Sequence, residues 1–87
     1  MKKTSHVKTF YVIGTKWFDK LNGNTYCNAK IIDSEGNRFY SGYTYGYGNY
    51  YLQHAENYIK DNLTDNFNII DCGYFYIKHK DIKNNNF

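Results

Sequence analysis

An α+β domain, an antiparallel sheet of about four strands in the order β-β-β-α-β with one helix packed on one face, is the architecture this sequence predicts, on three observations. Val7 to Phe18 (VKTFYVIGTKWF) and Thr25 to Asp33 (TYCNAKIID) are dense in β-branched and aromatic residues and flank an Asn-Gly turn signal. One segment, Tyr50 to Leu63, carries apolar residues at helical spacing. The stretch that follows it, Phe67 to Lys78 (FNIIDCGYFYIK), returns to strand character. With 87 residues and no proline, repeat or long polar linker, the chain forms a single domain, 1–87, with one core.

Each element has its own warrant. Gly14, inside the first strand, suggests a bulge or bend. Lys20 to Asn24 holds Asn22-Gly23, a pair suited to a tight reversal because both residues tolerate positive φ. Ser34 to Asn37 signals a second turn before a third strand at Arg38 to Tyr43, which completes a meander. Thr44 to Asn49 (TYGYGN), with two glycines, reads as a loop delivering the chain to the helix. In that helix Leu52, Ala55, Ile59 and Leu63 share one face, Asn49 is the expected N-cap, and Glu56 with Lys60 forms an i, i+4 pair. Residues 1–5 and 81–87 read as loose ends, the latter because Asn84 to Asn86 form a polar run that buries little.

Leucine occurs only at positions 21, 52 and 63, whereas aromatics make up 21% of the chain, so the core has to be built from rings. Eleven tyrosines exceed what so small a core buries, and tyrosine is well suited to an interface, having an apolar body and a polar tip. Coding bias toward Tyr, Asn, Lys and Ile is the bland explanation of the same composition. A single helix covers one sheet face, which leaves a tyrosine-bearing second face exposed or paired with a copy of itself as a homodimer.

The formal charge is +3 and there is one arginine, Arg38, so bidentate reading of guanine has almost no donor. Cys27 and Cys72 have no CxxC or Cys/His cluster around them, which fits reduced thiols in the cytoplasm; a disulfide requires their two strands to be adjacent. No apolar run is long enough for a signal peptide or a membrane span, so no membrane partner is expected. His6, His54 and His79 fall on different elements, and neither cysteine has an evident histidine partner. The expectation is a binding protein without catalytic residues, metal or cofactor.

Two stretches are the candidate binding residues. In the first, Tyr43, Tyr45, Gly46, Tyr47, Gly48, Asn49 and Tyr50, two glycines precede a helix start, where backbone amides and the helix dipole favour a phosphate or carboxylate. As a phosphate motif it lacks a Walker lysine and a dinucleotide-binding context, and the glycines equally serve to turn the chain. In the second, Trp17 stands beside the Lys20–Asn24 turn as a core plug or an anchor. Lys16, Lys20 and Arg38 are the basic groups that would hold phosphate if the ligand were a nucleic acid or nucleotide stacked on the tyrosines.

WFDKLNGNTY, followed some way on by YGYGNYYLQ, resembles a signature of small uncharacterised proteins of bacteriophages and prophages, over about Tyr11 to Ile59. Cys27-Asn28 stands where that signature has His-Ser. The resemblance implies no catalytic residues. It implies a phage or mobile-element setting in the host cytoplasm, and a partner that is a host protein, such as a nuclease effector complex of bacterial defence, inhibited as anti-CRISPR proteins inhibit theirs.

Overall fold

A computed structural model describes residues 7–87; the expected loose end at 1–5, and His6, lie outside the described residues. β1 (Lys8–Asp19) and β2 (Asn24–Ile32) form an antiparallel hairpin registered from Asp19 opposite Asn24 to Tyr11 opposite Ile32. The reversal is a four-residue loop rather than a tight Asn-Gly turn. Gly23, at φ 70°, donates its N–H to Asp19 O at 2.7 Å, and Asn22 stays out of the left-handed region. The Asp19 carboxylate organises the loop by accepting from Asn22 Nδ2 (2.8 Å) and from the backbone N–H of Leu21 and Asn22. Those bonds, the Asn22 side-chain bond first, hold its carboxyl below the usual range. Asp33 repeats the device, accepting from Asn37 Nδ2 and from the N–H of Glu35 and Asn37.

The predicted third strand, Arg38 to Tyr43, ends early as β3 (Arg38–Tyr40), and the stretch read as a loop from Thr44 opens instead with a short strand, β4 (Thr44–Tyr45); both are antiparallel to β2. Between them one backbone bond, Ser41 N–H to Ala29 O (2.9 Å), is joined by side-chain ones: Ala29 N–H donates to Ser41 Oγ (3.1 Å), and Gly42, at φ 103°, donates to Asn28 Oδ1 (3.0 Å). The main helix α1 (Tyr50–Asn62) lies where the periodicity predicts it, and it carries the chain back across the sheet to β5 (Phe67–Tyr76). A helical crossover of this kind returns the chain in its original direction, so β5 runs parallel to β1, unlike the other pairings. The sheet order is β3-β2-β1-β5 with β4 also on β2, and β5 is an edge strand. The architecture is therefore α+β, with a mostly antiparallel five-stranded sheet, one main helix and a short second one.

Strand alternation divides the core. Phe10, Val12, Gly14 and Lys16 of β1 and Cys27, Ala29 and Ile31 of β2 share the face under α1, where Tyr51, Ala55 and Ile59 close on them. Leu52 and Leu63 are only partly buried; the helix is rotated so that Tyr51 fills the position its spacing had assigned to Leu52. Gly14 is required there because the Tyr51 ring lies directly over it. The bulge suggested by Gly14 occurs opposite it: the β1–β5 register shifts between Val12 and Gly14, and Gly73 of β5 takes φ 91°.

The other sheet face is partly covered, because 81–87 is held rather than loose. α2 (His79–Lys83) buries Ile82 completely, and Asn28, itself without exposed surface, donates through Nδ2 to Ile82 O (2.9 Å) and Asn85 Oδ1 (2.6 Å). Asn85 takes φ 56° and Asn86 N–H returns to Asp81 O at 2.8 Å, so the asparagine run works as a left-handed helix stop. Tyr40 donates to Phe87 O at 2.9 Å and fixes the last residue. Tyr11, Ile70 and Phe75 on the remainder of this face stay exposed.

Candidate functional site

The tyrosine-glycine stretch comes together with α1 and β5 around one open cleft of about 680 Å³. Asn49, Leu52, Gln53 and Glu56, one face of the helix, form one wall. Ile69 and Asp71 of β5 form the other, and Tyr47 and Tyr50 close the loop end. The cleft exists because α1 packs chiefly on β2 and β1, leaving the α1-side face of β5 projecting beyond the helix. Tyr47, 68% exposed, stands there as a large ring in solvent, whereas Tyr45, paired with Tyr26 of β2 and edge-on to its ring at 5.8 Å, is exposed on the other sheet face.

Asp71 is its anchored polar group. Tyr51 Oη donates to Asp71 Oδ1 at 2.7 Å and Gly73 N–H donates to the same oxygen at 2.8 Å. Oδ2 has no hydrogen bond from another described residue. Burial, with the bond to this carboxylate adding to it, holds the Tyr51 phenol well above its ordinary range, so the tyrosine remains a donor at neutral pH. The second carboxylate, Glu56, pairs loosely with Lys60 at 3.6 Å on the exposed helix surface. Among the described residues no lysine or arginine lines the cleft.

Of the sequence-derived candidates, Tyr47, Asn49 and Tyr50 line this cleft, while Gly48, at φ 65°, supplies the left-handed turn into the helix. Gly46 is buried under the Tyr50 ring and donates its N–H to Thr25 O at 3.0 Å; it is packed rather than open to a ligand. Asn49 does not cap α1 with its side chain. Tyr43 lies on the far side of β2 from the cleft, stacked on Tyr26 with centroids 5.1 Å apart. Its phenol is pushed up by burial first, then by Tyr26 and Asp19. Trp17 stacks on His79 at 4.3 Å in the same ring cluster, which joins β1 and β2 to α2.

The basic trio is dispersed. Lys16 is 4% exposed, its Nζ 3.7 Å from the Tyr74 ring centroid. Lys20 sits in the hairpin loop, and Arg38 begins β3, paired with Ile32 at the opposite end of β2. Sequence reasoning missed Leu52, which it gave to the core, and Gln53, Glu56, Ile69 and Asp71. The helix periodicity already set Gln53 and Glu56 away from the apolar face, but nothing local announces that β5 lies beside them.

The cysteines are both free and not on adjacent strands, β1 lying between β2 and β5. Burial pushes the Cys27 thiol up to about 11, with Lys16 opposing, whereas Cys72 is exposed. The folded state thus favours the neutral Cys27 thiol. The stability this confers is present below the ordinary value of 9.0 and is lost as pH rises from there toward about 11. In native protein at pH 8, Ellman's reagent should label one thiol rapidly and the second only on unfolding; prompt reaction of both, or retention of the fast thiol in Cys72→Ser, would contradict this placement.

His54 Nε2 donates to Gly42 O at 3.1 Å and His79 is stacked on Trp17. Among the described residues no three His, Cys, Asp or Glu side chains gather as a metal site, and no helix is long and apolar enough to cross a membrane. Comparison with protein-family models, with curated proteins and with solved structures finds no match to this chain.

Proposed function

We propose that this chain is a non-enzymatic binding module whose partner is a protein, engaged at the α1–β5 cleft and by the tyrosines beside it. The observation that carries the reading is the pairing of exposed rings, Tyr47 and Tyr50, with a cleft whose charged groups, among the described residues, are both carboxylates. Aromatic rings around a concave polar site are the composition of interface anchors, and Asp71 and Glu56 select a basic side chain. The same carboxylates disfavour the rival reading of a phosphate at the helix start. Lys16 is buried and Lys20 and Arg38 are far apart, so these three do not form a basic track along a nucleic-acid backbone.

The motif resemblance extends the proposal to its setting: a phage or mobile-element protein acting in the host cytoplasm, with a nuclease of bacterial defence as the partner to test first. Plaque counts on hosts with and without a given defence system, with the chain expressed in trans, test it directly. Relief by the wild-type chain should be lost in Tyr47→Ala and in Asp71→Lys, both of which should keep native circular dichroism because neither side chain is buried. An anchor of this type contributes about 2 kcal/mol, roughly thirty-fold in affinity. Saturable binding to oligonucleotides, weakening with salt and insensitive to Asp71→Lys, would replace this reading with the nucleic-acid one.

A further inference from the structure

β5 is ten residues long, lies at the edge of the sheet, and carries a single charged side chain, Asp71. Long apolar edges of this kind are usually blunted by proline, lysine or a covering element, because their free N–H and C=O groups recruit another strand. Lys8 N–H donates to Asn66 O and Ile77 N–H to Lys16 O at the two ends of the β1–β5 ladder. Alternation from those ends turns the backbone groups of Asn68, Ile70 and Phe75 toward β1 and those of Ile69, Asp71, Tyr74 and Tyr76 away from it. The same four residues project their side chains on the α1 side, since they register with Phe10, Val12, Gly14 and Lys16. Among the described residues no strand occupies that outer edge.

From this juxtaposition, and resting on the protein-binding reading above, we infer that the partner is engaged as an extended segment that adds to the free edge of β5 and places a basic side chain in the α1–β5 cleft. In an antiparallel addition, the residue hydrogen-bonded directly opposite Asp71 has its side chain on the same sheet face, about 5 Å away between Cβ atoms. That side chain enters the space between β5 and α1, where Asp71 Oδ2 takes no hydrogen bond from the described residues and Glu56 is the other charge. An arginine or lysine satisfies this position: its methylenes lie along Leu52 and Ile69 and its head reaches the carboxylates. Residues two places to either side fall opposite Ile69 and the bulge near Tyr74, where apolar side chains fit. Main-chain bonds supply affinity and the cleft supplies selectivity, as in other strand-addition grooves between a helix and a sheet edge.

The test uses the full chain, isotope-labelled, titrated with the synthetic peptide Ser-Thr-Val-Thr-Arg-Thr-Val-Thr-Ser. The expected result is saturable shifts centred on the amides of Ile69, Asp71 and Tyr74, and loss of binding when the peptide's Arg N–H is methylated. Replacement of Arg by Glu in the peptide, or Asp71→Asn in the protein, should each weaken binding by about ten-fold or more. No saturable shift at millimolar peptide overturns the inference. So does equal binding by the N-methylated peptide; if that binding still falls in Asp71→Asn, the protein-binding reading stands and only the strand addition fails. Concentration-dependent self-association through the β5 amides, seen by sedimentation without peptide, would assign the edge to a second copy of the chain and overturn it too.

Discussion

Gly14→Ala is expected to be the most damaging single-methyl change in the molecule, lowering stability by about 2–4 kcal/mol. A Cβ built on Gly14 falls 2.5 Å from Tyr51 Cδ2 and 2.6 Å from Cγ. Those are atoms at the root of the ring, on a residue 2% exposed, so no flexible tip can give way. Swinging the ring would also break the Tyr51–Asp71 hydrogen bond. Gly14 is not in the left-handed region, so the cost is steric rather than conformational. Indeed alanine would by itself favour the folded chain by about 0.4–1 kcal/mol through the unfolded state, which makes a net loss diagnostic of the clash. Denaturant melts of a double-mutant cycle isolate the contact: in a Tyr51→Leu background Gly14→Ala should cost under about 1 kcal/mol, a large compensating coupling. An equal cost in both backgrounds would mean that the ring does not seat on Gly14.

Why Gly14 matters was only half legible in the sequence. A glycine within a β-branched, aromatic run signals an irregularity, and the register shift at β5 answers to that. The larger reason, a tyrosine lying flat on the strand from 37 residues downstream, is a tertiary contact with no local trace. The same limit explains the helix. Its period gave the element and its bounds to within a residue or so, but the choice between Leu52 and Tyr51 as the buried residue depended on a vacancy in β1. The hairpin was legible because turn chemistry is local: Asp19 and Gly23 carry it in the structure, although Asn22 enters through its side chain rather than through positive φ.

The candidate site was legible on one side only. Tyr47, Asn49 and Tyr50 stood out because glycines and tyrosines before a helix are a visible pattern, and the structure brings those three to the cleft. Its chemistry was read from the loop wall alone. Helix-dipole reasoning pointed to an anion at the loop, yet the opposing wall contributes Asp71, placed there by the parallel pairing of β5 with β1. A sequence-local argument expects the last strand to be antiparallel or central; only the crossover through α1 makes it a parallel edge, and with that edge comes the carboxylate.

The second large effect is expected at Asn28, at the centre of the fastening that joins the C-terminal segment to the sheet. Its side chain makes three hydrogen bonds without exposed surface: Nδ2 to Ile82 O and Asn85 Oδ1, and Oδ1 from Gly42 N–H. Asn28→Ala removes all three and leaves Ile82 O and Gly42 N–H unmatched. Orphaned buried groups cost about 1–3 kcal/mol each, so a total loss of about 3 kcal/mol is expected. The loss should be local first: hydrogen exchange should accelerate in residues 79–87 and at Gly42 before β1 or α1, because Ala29 and Ser41 still hold the strand itself. Asn28→Asp separates hydrogen bonding from shape. It retains the Gly42 acceptor but turns a second oxygen toward the Ile82 and Asn85 acceptors, so its carboxyl should be protonated in the folded state and its pKa raised. A raised carboxyl contributes stability that is present below the unfolded value of ~3.9 and is lost as pH rises through the folded one. The segment should therefore be protected in Asn28→Asp at pH 4 and released at pH 8, while wild type keeps it at both. Equal exchange of 79–87 in wild type and both variants would show that Asn28 does not hold the segment.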